Sequence, residues 1–268
     1  MMQPLNRLSL LFTDLDGTLL NAEESVSPSV VTQLRNARAR GVAIVPATAR
    51  GINGVRNVAK VAGLGPLAVC HNGAVGYHLD LDALLWVREL PSGFVRSAIE
   101  QLLHHDTGFY FAASTVTQFW PQRDFLKVHP LAPIEYELDQ LFEVEPAVRL
   151  ICRHPDVHAD ELAPIIRQVL ADVQLISGST DWVEIVPRGV NKGFGIGLAA
   201  EILGVPLEDC VAVGDHLNDL PMLTIVGHPF AVTNAHPAIL STGAKLVPSN
   251  NEGGVGELAA QMGLSQRP

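Results

Sequence analysis

Along this chain, short apolar runs alternate with segments of helical period, and polar turns separate them. Leu8 to Thr13, within "LSLLFTDLDGTLL", reads as a buried strand. Ser27 to Arg40, "SPSVVTQLRNARAR", opens with Ser-Pro and predicts a helix. "GVAIVPAT", Gly41 to Thr48, predicts a second buried strand followed by helical "GINGVRNVAKVAG", and "PLAVCHNGA" predicts a third strand. Toward the other end, "KGFGIGLAAEILG" predicts a helix, "CVAVGD" a strand and "LPMLTIV" another helix. "FAVTNA" and "KLVPSN" add two short strands around "HPAILSTG". This alternation indicates an α/β fold, a doubly wound, Rossmann-like parallel sheet with helices on both faces. Ligands in such sheets sit beyond the C-terminal strand ends, near the switch in strand order. Asp14, Thr48, Asn72 and Asp215 all fall at those ends.

Between about residues 83 and 187 the pattern changes. "ALLWVREL" predicts a strand, "PSGFVRSAIEQLLHHDTG" a helix, and "FYFAAS" with "TVTQFW" a hairpin. "AVRLICR" (strand), "ADELAPIIRQVLAD" (helix), "VQLIS" and "DWVEIVP" (strands) follow. Strands outnumber helices here, and all three tryptophans fall within the segment. The reading is an inserted α+β domain at 83–187, with the core contributed by 1–82 and 188–268 and joints near Gly76 to Asp82 and Pro187 to Gly189.

Composition narrows the class. The 268 residues suffice for one large or two modest domains with a full apolar core, and 47% hydrophobic against 17% charged residues describes a globular chain. The run Leu8 to Phe12 is too short for a signal-peptide core, and no segment approaches the roughly 18 to 20 apolar residues of a membrane span. Three cysteines, Cys70, Cys152 and Cys210, lack metal-site spacing and are expected as buried thiols of a cytoplasmic protein. A net charge of −10 without a Lys/Arg cluster argues against nucleic acid. A small anionic substrate would need a local positive site.

"DLDGTLL" places Asp14 and Asp16 on one side of an extended strand end, since side chains alternate with period two. Acidic groups at the end of a buried strand are costly unless a cation meets them. Gly17 permits a tight departure and Thr18 can bond a local backbone group. "VGDHLNDLPML" supplies Asp215, Asn218 and Asp219 after another buried strand; N-capping accounts for Asn218 but poorly for Asp215. "ATAR" supplies Thr48, with turn or cap as its ordinary role, and Arg50, for which a surface ion pair is the plainer reading. Lys192 precedes a helix, where cations are disfavoured, so it is either solvated or paired with Asp219 and an incoming anion.

Taken in order, these motifs resemble the haloacid dehalogenase-like hydrolase superfamily. "DLDGTLL" is similar to its first motif, "ATAR" to its second, Lys192 in "NKG" to its third and "GDHLND" to its fourth. "CHNGA", "VEIVPRGVNKG" and "SNNEGGVGELA" resemble the Cof-type branch, phosphatases with a large α/β cap between motifs two and three. Ala49 departs from the pattern, standing where glycine is usual. The resemblance implies that Asp14 is the nucleophile on a phosphomonoester and that Asp16 is the general acid and base. It implies that Mg²⁺ is held by the Asp14 carboxylate, the Asp16 carbonyl and the Asp215 carboxylate. Thr48 and the amides after Asp14 would hold phosphate oxygens, with Ala49 and Arg50 beside them. Lys192 would neutralise charge, Asp219 would orient Lys192, and Asn218, with Asn72 in support, would meet a substrate oxygen. Asp14 and Asp215 are expected to keep Asp16 protonated by crowding of like charges.

The implied activity is hydrolysis of small phosphorylated metabolites, sugar phosphates first, with a phosphomutase or a non-catalytic phospho-ligand sensor as alternatives. A mere binder has little need of Asp16. Specificity is assigned to cap loops, yet "FWPQRDFLKVHP" spells no sugar, nucleotide or vitamin phosphate, and oligomeric state is likewise unspecified. Trp120 and Trp182 are expected in the core of the insert rather than on a ligand.

Overall fold

Leu10–Thr13 (β1) is a strand whose four side chains are all buried. In chain order it is followed by Pro28–Ala39 (α1), Ala43–Pro46 (β2), Ile52–Ala62 (α2), Leu67–Cys70 (β3), Val75–His78 (β4) and Ala83–Val87 (β5). Phe94–His105 (α3), Tyr110–Ser114 (β6), Phe119–Pro121 (β7), Leu138–Leu141 (α4), Arg149–Arg153 (β8), Ala159–Val169 (α5), Gln174–Ile176 (β9) and Trp182–Val186 (β10) come next. Lys192–Leu203 (α6), Val211–Gly214 (β11), Leu220–Leu223 (α7), His228–Val232 (β12), Pro237–Leu240 (α8), Lys245–Val247 (β13) and Gly254–Ser265 (α9) complete the order. The computed structural model describes residues 9–125, 134–177 and 181–265; Leu8 and the part of "FWPQRDFLKVHP" beyond Phe125 lie outside them.

The first sheet runs β13-β12-β11-β1-β2 and every neighbouring pair is parallel. Its central strands β1 and β11 are buried and, but for Thr13 at the end of β1, without polar side chains, as a sheet covered on both faces requires. Because β2 lies on one side of β1 and β11 on the other, the winding reverses at β1, which opens a crevice beyond the ends of β1 and β11. Helices α1, α2 and α9 pack as one group and α6 with α7 as another. Glycines let α9 approach α1 closely: a Cβ at Gly263 would sit 3.1 Å from the Ala37 Cα.

The strand of "PLAVCHNGA" departs from the expectation. It is grouped with β4 and β5 in a separate sheet, β3-β4-β5, pairing antiparallel with β4, and lies beside the end of β2 through the parallel bridge between Ala47 and Val69 and the Thr48 N–H on the Val69 carbonyl. The reason lies in the backbone after β3. His71, Asn72 and Gly73 take φ of 50, 53 and 102°, three successive left-handed residues that reverse the chain into β4.

The chain divides into two compact units at Trp86/Val87 and Val190/Asn191, a few residues beyond the joints read from the pattern. Trp86, grouped with the insert by its sequence position, therefore belongs to the first unit, where its Nε1 donates to the Gly73 carbonyl at 3.1 Å. The second unit is an antiparallel sheet in the order β7-β6-β8-β10-β9. One face, with Phe111, Leu150, Cys152, Val183 and Ile185, forms a core with α3 and α5. Trp120 packs against that core and Trp182 against a smaller cluster with Phe125 and Ile151.

Candidate active site

The loops after β1, β2, β3 and β11, with the N-terminus of α6, supply the polar groups of the crevice in the first unit. Asp14 directly follows β1, and its N–H still pairs with the Val213 carbonyl at 3.1 Å, so the sheet itself places this residue. Its carboxylate is nearly fully buried. Asp14 Oδ1 accepts from the Leu15 N–H at 2.7 Å and from Lys192 Nζ at 2.8 Å. Lys192 is completely buried, at the first position of α6, whose N-cap Asn191 accepts from the Phe194 N–H. Its ammonium also donates to Asp219 Oδ1 at 2.6 Å. Asp219 Oδ2 in turn accepts from the N–H groups of Asp215 and His216 at 2.9 and 3.0 Å. Both oxygens of Asp219 are thus engaged, and its work is to hold Lys192 and the loop that carries Asp215.

Asp215 Oδ1 accepts from the Thr18 hydroxyl at 2.6 Å. Thr18 therefore crosslinks the first and fourth motifs, where the sequence suggested only a local backbone bond. Gly17, at φ 74°, lies so close to the Asp215 carboxylate that a Cβ there would collide with it.

Charge governs this cluster. Carboxylate oxygens of Asp14, Asp215 and Asp219 lie within 4.8 Å of one another, and the Lys192 ammonium pairs with Asp14 and Asp219. Burial pushes the Asp14 carboxyl well above the ordinary aspartate range; Lys192 pulls it back, while Asp219 and Asp215 push it further up. Burial first, and Asp219 second, raise Asp215 to about 6 against the bond from Thr18 and the attraction of Lys192. Lys192 is held above its ordinary value: burial opposes this, and the attraction of Asp14 and Asp219 outweighs burial. Fully ionised, three carboxylates and one ammonium leave an excess of two negative charges. Among the described residues no hydrogen bond reaches Asp14 Oδ2 or Asp215 Oδ2. An oxygen-lined site with two open carboxylate oxygens and an excess of −2 fits a hard dication.

Asp16 goes elsewhere. The strand ends at Thr13, so the two-residue alternation does not carry it to the side of Asp14. Its carboxylate is half-exposed and forms a forked ion pair with Arg50, at 2.9 Å from Nε to Oδ2 and 2.5 Å from a terminal nitrogen to Oδ1. Asp16 therefore faces a guanidinium, and its charge also adds to the crowding of Asp215. Arg50 is held above its ordinary value, chiefly by that bond. The amides after Asp14 also divide. Leu15 N–H is taken by Asp14 itself, whereas those of Asp16 and Gly17 make no hydrogen bond among the described residues.

Thr48 is fully buried, and its hydroxyl oxygen accepts from the Arg50 N–H at 3.1 Å, leaving the hydroxyl proton to donate. Ala49, next to it, is partly exposed. The left-handed turn after β3 is tied to this loop by the Asn72 N–H on the Thr48 carbonyl and the His71 N–H on the Arg50 carbonyl. Asn72 Oδ1 accepts from Asn218 Nδ2 at 3.1 Å, while Asn218 Oδ1 is buried without a partner among the described residues. The structure thus brings Asp14, Asp215, Asp219 and Lys192 into direct contact and joins Asp16 to Arg50 and Asn72 to Asn218.

The profile of the haloacid dehalogenase-like hydrolases matches residues 11–258. The chain belongs to this family. Within it, the chain falls in the Cof-type branch. This hydrolase is similar to an HMP-PP phosphatase of Serratia proteamaculans, 26% identical over 233 residues that cover 85% of each chain. It is also similar to the 5-amino-6-(5-phospho-D-ribitylamino)uracil phosphatase of Bacillus subtilis, 26% identical and covering 92% of this chain and 93% of the other. A solved HAD subclass IIB sugar phosphatase shares the fold with a TM-score of 0.81 at 18% identity, over 96% of this hydrolase and 99% of its own chain. Among the described residues no helix is long and apolar enough to cross a membrane.

Proposed function

We propose that this hydrolase is a Mg²⁺-dependent phosphatase of small phosphorylated metabolites, sugar phosphates foremost, acting through an aspartyl-phosphate on Asp14. One observation carries the reading: a fully buried lysine bridges Asp14 and Asp219 while Asp215 adds a third carboxylate, at the switch point of a parallel sheet. The named activities of the relatives, an HMP-PP phosphatase and a 5-amino-6-(5-phospho-D-ribitylamino)uracil phosphatase, support the substrate class.

Asp14 and Asp215, with the Asp16 carbonyl, would hold the ion, which when bound offsets the excess carboxylate charge and draws phosphate oxygens to the site. The chain's own groups do the rest. The hydroxyl of Thr48 and the open amides of Asp16 and Gly17 hold phosphate oxygens, and Lys192 balances the charge that spreads over them in the transition state. Asp219, saturated by its three bonds, keeps the Lys192 ammonium on Asp14. An Asp14 oxygen attacks phosphorus as the bond to the leaving alkoxide breaks, and Asp16, released from Arg50 and protonated from solvent, gives that alkoxide its proton. Water then attacks phosphorus and passes a proton to Asp16. The bond to Asp14 breaks, and inorganic phosphate leaves.

A panel of phosphorylated metabolites with Mg²⁺, with Asp14→Asn as the control, tests the reading. Release of phosphate by the natural chain and none by the variant is the expected result. Comparable release by Asp14→Asn would remove the nucleophile from the scheme, and turnover without net phosphate release would assign a mutase.

A further inference from the structure

The stretches "FAVTNA" and "SNNEGGVGELA" contribute no group to the chemistry above, yet their asparagines reach the loop that carries Asp14. Asn234, in the turn after β12, donates from Nδ2 to the Gly17 carbonyl at 2.8 Å. Its Oδ1 accepts the Asn250 N–H at 3.0 Å, and Asn250 Nδ2 donates to the Leu20 carbonyl at 2.8 Å. Two residues after Asn234, the His236 N–H donates to the Asp215 carbonyl at 2.8 Å. One short turn therefore grips backbone carbonyls from both loops whose carboxylates stay open, and Thr18 closes the ring on Asp215 Oδ1.

We propose that Asn234 and Asn250 form a brace that fixes the spacing between the Asp14 and Asp215 loops and thereby sets the affinity of the site for a divalent cation. The inference rests on the metal reading of Asp14 and Asp215. Gly17 is the natural handle. Its φ of 74° belongs to a residue of high conformational freedom, and its peptide would drift without a bond on its carbonyl. Drift there moves the open Gly17 amide and the Thr18 hydroxyl together, because they flank the same peptide. Neither asparagine touches substrate or ion; both are positioning residues acting through backbone. Partners at one remove from a metal typically change affinity by about 10- to 100-fold when removed. The position of Asn234 on the exposed side of the loop favours the lower end of that range.

The experiment is Mn²⁺ binding to the full chain without substrate, read by electron paramagnetic resonance of the free ion, beside the melting temperature of the metal-free protein. Asn234→Ala should weaken Mn²⁺ by about 10-fold, with melting nearly unchanged and with kcat recovered at high Mg²⁺. Asn251→Ala, which removes only the bond to the Ala22 N–H, should bind Mn²⁺ as the natural chain does. Affinity of Asn234→Ala within about twofold of the natural chain overturns the inference, as does equal weakening in Asn251→Ala. Should Asn234→Ala fail to fold, Asn234→Ser, too short to span to the Gly17 carbonyl, is judged by the same two thresholds. A natural chain that binds no Mn²⁺ overturns the metal reading itself, and this inference with it.

Discussion

Replacing Asp215 with asparagine should make the metal-free protein more stable while removing its response to Mg²⁺. Asp215 titrates at about 6 in the folded chain against an ordinary 3.8, with burial the first cause and Asp219 the second. Between those values the folded state binds more protons than the unfolded chain, so stability falls as pH rises through the window. Raising the carboxyl from 3.8 to about 6 costs about 3 kcal/mol, fully incurred above the folded value and absent below about 4. Asparagine does not titrate, and its Oδ1 still accepts the Thr18 hydroxyl. In EDTA near pH 8 the variant should therefore gain up to about 3 kcal/mol, or about 5 to 10 °C in melting temperature for a chain of this size. Near pH 4 the two proteins should converge. Mg²⁺ at about a hundred times its dissociation constant would return about 2.7 kcal/mol to the natural chain and nothing to Asp215→Asn. Melting curves followed by circular dichroism at both pH values, with and without Mg²⁺, decide the matter. A variant that melts at or below the natural chain near pH 8 in EDTA refutes the charge-crowding account, as does a gap that does not change with pH.

Lys192→Met should cost about 10³-fold in kcat and about 3 to 5 kcal/mol of stability by stranding buried carboxylates, measured by steady-state kinetics and denaturant unfolding. Asp16→Asn should lower kcat by about 10²- to 10⁴-fold and leave unfolding within about 1 kcal/mol, because its partner Arg50 meets it in a solvent-exposed pair. Gly17→Ala should abolish turnover and Mn²⁺ binding together, since φ of 74° and the nearness of Asp215 leave no room for a methyl; titration calorimetry checks the binding.

The parallel sheet was legible because β1, β2 and β11 are continuous apolar runs closed by polar turns, a signal carried by adjacent residues. Asp14 and Asp215 were legible for the same reason, each being the first charge after such a run. The fate of β3 was not, because left-handed φ at His71 and Asn72 leaves no mark on hydrophobic periodicity. Helix α9 carries three glycines that weaken its intrinsic propensity, and it forms where two of them, Gly256 and Gly263, allow contact with α1. Asp16 lay within a legible motif, but its pairing with Arg50 depends on how β1 and β2 are juxtaposed. Asn234 and Asn250 act on carbonyls more than two hundred positions away, a distance no local pattern spans.

Phosphorylation of Asp14 is the central claim and can be measured directly. The natural chain and Asp16→Asn are mixed with a hydrolysed phosphomonoester and Mg²⁺, quenched in acid, reduced with borohydride and mapped by peptide mass spectrometry. Conversion of Asp14 to homoserine, greater in Asp16→Asn, is the predicted result. Phosphate release with Asp14 unmodified in both proteins, or reduction at another carboxylate, would contradict it.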